Sequence, residues 1–226
     1  MEDKAMLLLL QLSDSAFPVG GFSHSCGLEA LLQSNGKQRT DKNFLQSAFV
    51  SALENAGSFG VPFVQGAYQA GLVTQDLKSL DRLCQASSPN HIACRASTRQ
   101  GQSFREVCSF VCTDLDPGVT SALSELPHCH VPVVHGALFS ALGFDLDTTL
   151  TAFLFGVVRN VVAAAVRLDA VGPMEAQRMQ KKLQDMIPDV ILRNKWRSAD
   201  DASVTFPVLD ILQNTQDTLF CKLFYS

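Results

Sequence analysis

Four groups of residues carry side chains able to do chemistry. The first is Ser13, Asp14 and His24. A hydroxyl, a carboxylate and an imidazole can form a hydrolytic triad, but a triad needs a nucleophile on a sharp turn and donors for the oxyanion. Neither accompanies these residues, so they read as helix caps and a satisfied histidine. The second is His128, Cys129 and His130, with His135 nearby. Imidazole and thiolate suit nickel or zinc. Adjacent residues of a regular element rarely face one ion, however, and no distant ligand pair is evident, so a loop with a structural His130 is the preferred reading. The third group is cysteine. Cys108 and Cys112 lie four apart on one helix face with Phe104 and Val111, the pattern of small core hydrophobes. Cys26 sits at a helix mouth, where a thiol pKa can fall. The fourth is charged. Arg99 and Arg105 share a helix with Gly101 and are candidates for a partner contact. Arg159, Asn160 and Arg167 interrupt an apolar stretch, where a buried charge must be paired. Glu29 falls in a first helical turn, where a carboxylate suits the dipole.

The bulk properties narrow the function further. The 226 residues are 46% hydrophobic and 18% charged, with a net charge of −4. That length suffices for one core, and the low charge fraction hints at surface covered by partner chains. Nucleic-acid binding would call for a basic stripe. The most basic stretch, Arg193, Lys195 and Arg197, runs directly into Asp200 and Asp201 and reads as a solvated face. The seven cysteines include no CxxC pair, and the acidic opening is unlike a secretory leader, so reduced thiols in a cytosolic protein are expected. Leu150 to Val166 imitates a membrane span. It is shorter than the ~20 residues a bilayer needs and carries Arg159 and Asn160 at its centre, so a buried helix is the better reading.

The elements that must position these residues are helical. Phe44, Leu45, Ala48, Phe49, Ala52 and Leu53 recur at three- and four-residue steps, as do Leu77, Leu80, Leu83 and Cys84. Thr40 or Asp41 caps one helix, Thr74 caps another, and Pro173 suits a first turn. Gly36, Gly57, Gly143 and Gly172 fall where helices should end. Helices are expected near 5–13, 25–34, 42–56, 61–72, 75–86, 90–112, 117–125, 132–143, 146–168, 173–187 and 207–222. Allowing for mergers and breaks this is roughly nine or ten, in one all-α domain spanning 1–226.

The most unusual stretch is Leu10 to Glu29 (LQLSDSAFPVGGFSHSCGLE). A helix stops at Pro18 and the Gly20-Gly21 pair, then restarts after Ser23, His24 and Ser25, either serine being a possible cap. This run resembles the N-terminal signature of the UreF family of urease accessory proteins. Three internal stretches also resemble that family: Thr98 to Ser103 (TRQGQS), His130 to Gly136 (HVPVVHG) and Asn160 to Leu168 (NVVAAAVRL). So do Pro207 to Ile211 and the closing Lys222-Leu223-Phe224. The family usually carries a histidine where Gln216 stands and an arginine where Lys222 stands. A lysine lacks the planar two-point grip of arginine. His128 and Cys129 have no counterpart in the family pattern.

The resemblance implies a helical, non-enzymatic scaffold acting in the cytoplasm. It implies a homodimer that binds UreD (also called UreH) and then the GTPase UreG. The assembly delivers nickel to apo-urease, with nickel in transit and no cofactor tightly held. The partner-facing and signature positions it implies are Asp14, Pro18, Gly20, Gly21, Ser23, His24, Glu29, Arg99, Gly101, Arg105, Arg167, Asp210, Lys222, Leu223 and Phe224. The apolar tail from Leu219 on calls for a cover, either UreD or a dock on the chain's own core. Two rivals are a GTPase-activating protein working through an arginine and a nickel-storing chaperone with a tight site.

Overall fold

The computed structural model describes residues 3–36 and 40–226. The fold is all-α, with no strand among the described residues. In chain order the helices are α1 (Asp3–Leu12), α2 (Leu28–Ser34), α3 (Lys42–Asn55), α4 (Val61–Ala70), α5 (Thr74–Ser87), α6 (His91–Val111), α7 (Pro117–Ser124), α8 (Val131–Ala141), α9 (Leu146–Arg167), α10 (Pro173–Asn194) and α11 (Pro207–Gln213). Their starts follow the expected chemistry in several places. The Asp41 carboxylate accepts from the N–H groups of Asn43 and Phe44, Asn90 caps α6 and Asp145 caps α9.

Two apolar clusters carry the packing. One joins α2, α3, α9 and α10 through residues such as Leu32, Phe49, Leu154, Val162 and Leu183. The other joins α4 to α8 through Phe63, Leu77, Phe104, Leu123 and Phe139. The α4–α8 crossing is close because position 136 is glycine: a Cβ there would lie 2.2 Å from the Val64 carbonyl oxygen. Helix α9 has the length and apolarity of a membrane span, with a mean hydropathy of 1.8. Its buried face, from Leu150 to Ala165, packs into the first cluster against α3 and α10. That is the place of a core helix.

Four local expectations need correction. Helix α10 does not stop at residue 187 but runs through Pro188 to Asn194. Buried Leu183, Ile187, Val190 and Ile191 continue the apolar stripe, while Pro188 lies on the exposed face, where water can serve the carbonyl it leaves unpaired. Gly57 does not end a helix. It lies in a π-helical turn, Ala56–Gly60, that joins α3 directly to α4. Thr74 is the first residue of α5, preceded by Val73, and makes no capping bond. The closing helix expected over 207–222 ends at Gln213, followed by a 3-10 turn at Gln216–Thr218 and an irregular tail. There the Thr215 and Thr218 hydroxyls donate to the carbonyls of Leu212 and Thr215 at 2.7 Å, and the tail N–H groups turn toward Glu29 instead of a helical ladder.

Candidate functional site

The Leu10–Glu29 loop and the last residues of the chain form one structure. Gly20 takes the left-handed conformation, with φ 78°, that lets the chain turn after Pro18. Gly21 lies flat against the Asn160 side chain of α9. Beyond them, Gly27 is again left-handed and α2 begins at Leu28 without a side-chain cap. Ser25 Oγ accepts a bond from the Glu29 N–H at 3.4 Å from just outside the helix, and Ser23 caps nothing.

Glu29 is buried to 2% exposure and is the centre of the arrangement. Its carboxylate accepts from the N–H groups of Leu223 at 2.5 Å and Phe224 at 3.1 Å, and from Gln216 Nε2 at 2.7 Å. The negative charge thus serves the backbone of the tail and not only the start of α2. Around it, the Tyr225 N–H donates to the Ser23 carbonyl at 2.9 Å, and the Ser25 N–H donates to the Ser226 carbonyl at 2.6 Å. His24 Nδ1 lies 2.5 Å from Ser226 Oγ. Burial, with the nearby charges of Arg99 and Arg95, lowers the His24 pKa to about 4 and keeps the ring neutral at pH 7.

Arginines hold the aromatic residues of the tail. Arg167 stacks between the rings of Phe22, at 3.5 Å, and Phe224, at 4.3 Å, and donates to the Phe22 carbonyl. Arg99 lies 4.1 Å over Tyr225. Arg95 grips Asp217 with two bonds of 2.8 Å, and Lys222 reaches the same carboxylate at 3.6 Å. Asp210 of α11 accepts from Asn90 Nδ2 at 3.0 Å, which ties α11 to the cap of α6. The tail is therefore docked on its own chain through buried Phe224 and Ser226, while Phe220, Leu223 and Tyr225 remain exposed. Of the signature residues, Asp14, Pro18 and Ser23 face solvent, the Asp14 carboxylate turning back to the Ala16 N–H at 2.9 Å.

The remaining candidates form a second, structural cluster. A Cβ at position 101 would lie 1.8 Å from the Cys129 carbonyl oxygen, so only glycine lets α6 pass the loop before α8. Arg105 donates to the Leu123 carbonyl and to Cys129 Sγ, both at 3.3 Å, and pairs with Glu106. The loop itself is organised by Asp81, which is fully buried and accepts from the N–H groups of His128, Cys129 and His130 at 2.7 to 3.1 Å. Sequence reasoning missed this residue, because an acid in an amphipathic helix reads as surface. His130 engages Ser97 and Gln85, and His135 stacks on Phe139 at 4.1 Å and reaches the Thr149 carbonyl. Burial lowers both imidazoles to about 4. These histidines and Cys129 thus point to separate protein partners. Among the described residues no group of three or more His, Cys, Asp or Glu side chains converges to hold a metal. Cys108 and Cys112 are buried core residues. Cys26 departs from expectation: burial pushes its thiol up to about 11, away from reactivity.

The UreF family model matches residues 40–184. Two plant proteins named urease accessory protein F are each 34% identical: that of Oryza sativa subsp. indica over 218 residues, covering 95% of this chain and 82% of its own length, and that of Arabidopsis thaliana over 224 residues, covering 96% and 90%. Urease accessory protein UreF of Trichodesmium erythraeum is 30% identical over 228 residues, covering 96% and 95%. The chain belongs to the UreF family of urease accessory proteins.

Proposed function

We propose that this chain is a non-enzymatic scaffold of urease maturation. It works in the cytoplasm as a homodimer, binds UreD (UreH) and the GTPase UreG, and with them assembles on apo-urease so that nickel enters the active site. Nickel is cargo in transit, and the chain itself holds no cofactor tightly. The observation that supports this reading is the docking of the tail on the family signature. Glu29, His24 and Arg167 hold Phe224 and Ser226, and in doing so they present Phe220, Leu223 and Tyr225 outward as a fixed apolar edge. Exposed aromatic and aliphatic side chains on an ordered segment suit a protein partner. A scaffold needs such a surface and no nucleophile.

An arginine-finger role is not part of this reading. Arg105 is engaged by Leu123, Cys129 and Glu106, and Arg99 is stacked on Tyr225. The test is co-expression with cognate UreD and UreG followed by size-exclusion chromatography. The reading predicts one complex containing all three chains. Recovery of this chain alone would overturn it.

A further inference from the structure

Three arginines converge on the signature loop, and among the described residues none has a carboxylate within ion-pair distance. Arg159 and Arg167 lie eight residues apart, two turns along one face of α9, with exposed Ala163 midway. Together with Gly20, Gly21 and His24 they line a cavity of about 280 Å³. Arg99 lines an adjoining cavity of about 250 Å³ with Ser23, Ser103 and Gln100, and the two cavities share Gly20 and His24. A guanidinium has five N–H donors. Arg159 gives two bonds, to the Ser13 carbonyl and Asn160 Oδ1, and Arg167 gives one, to the Phe22 carbonyl. Those acceptors are neutral amide oxygens. The nearest acids act only at a distance. Asp14, which faces Arg159, is on the surface, and the oxygens of Glu29, which faces Arg167, are occupied by the tail and Gln216. Half-buried Arg159 and Arg167 and exposed Arg99 thus bring positive charge with spare donors to an open cleft, an arrangement suited to an anion.

We propose that this cleft binds a small free oxyanion of phosphate type, held by Arg159 and Arg167 on one wall and by Arg99 with the Ser23 and Ser103 hydroxyls on the other. Because Arg167 also stacks on Phe224, the bound ion steadies the arginine that holds the tail.

The experiment is thermal unfolding of the isolated chain, titrated with inorganic phosphate against chloride at matched ionic strength. A rise of about 3 °C is expected when phosphate reaches about ten times its dissociation constant, growing with the logarithm of concentration beyond it. Ala163→Glu places a carboxylate between Arg159 and Arg167 as a tethered competitor. It should raise the midpoint in chloride and abolish the phosphate response. Arg99→Gln should weaken phosphate binding roughly 10-fold, the value of one charge-assisted contact. No rise beyond that in chloride would overturn the proposal. A rise undiminished in Ala163→Glu would overturn it too, by showing an adventitious ion only. The readout needs no partner protein, so its failure leaves the scaffold reading untouched.

Discussion

Glu29 places a buried negative charge where a helix start alone would not need one, and the tail supplies the donors that make it tolerable. Removing the carboxylate leaves the Leu223 and Phe224 N–H groups without acceptors, at a cost of about 1–3 kcal/mol each if they stay buried. The tail avoids that cost by leaving. Glu29→Ala should therefore make the residues after Leu219 accessible to carboxypeptidase while the helical core still unfolds cooperatively. Continued protection of the tail would show that Phe224 and Arg167 hold it unaided. Buried imidazoles make a second prediction at this scale. His24, His130 and His135 have folded-state pKa values lowered to about 4, whereas an unfolded histidine titrates near 6.5. Between those values the unfolded chain binds more protons, so stability falls as pH drops from about 6.5 toward 4 and is level above that window. Urea midpoints measured across pH 4 to 8 should show the decline, and His135→Gln should shrink it.

The elements show what can be read from a sequence and what cannot. The apolar spacing of α3 and α5 and the Asp41 cap are local signals, and they put these helices where expected. Pro188 misleads because its effect depends on which face it occupies, and that face is set by α10 packing on α9 and α3. The tail misleads for a similar reason. Its N–H groups have a better acceptor in Glu29, almost two hundred residues away, than in their own helix. Asp81 was invisible because three donors reach it from a loop 47 to 49 residues further on. By contrast Gly101, marked by the resemblance, gains a physical reason in its contact with Cys129. Gly101→Ala should cost about 3 kcal/mol or more, since a methyl group cannot share space with a carbonyl oxygen of the facing loop. Gly172→Ala, where a Cβ would meet nothing within 4 Å, serves as the control. Denaturant midpoints of the two variants check this, and equal midpoints would contradict it.

For the molecule as a whole, signature loop, α9 and tail act as one unit although they span the length of the chain. The family model covers 40–184 and so leaves both the loop and the tail outside it. The geometry brings them together. In this account the two halves of the core hold α6 and α9 in place, α6 and α9 present Arg99 and Arg167, and these arginines with Glu29 fix an exposed apolar edge for a partner. Fold and partner surface are thereby coupled through the last residues.

The most direct test is to compare the intact chain with one truncated after Phe206, each co-expressed with cognate UreD and UreG. The account predicts that the truncated chain stays helical, keeping α1 to α10, but no longer co-purifies with UreD. A truncated chain that still forms the complete complex would contradict the claim that the docked tail is the partner surface.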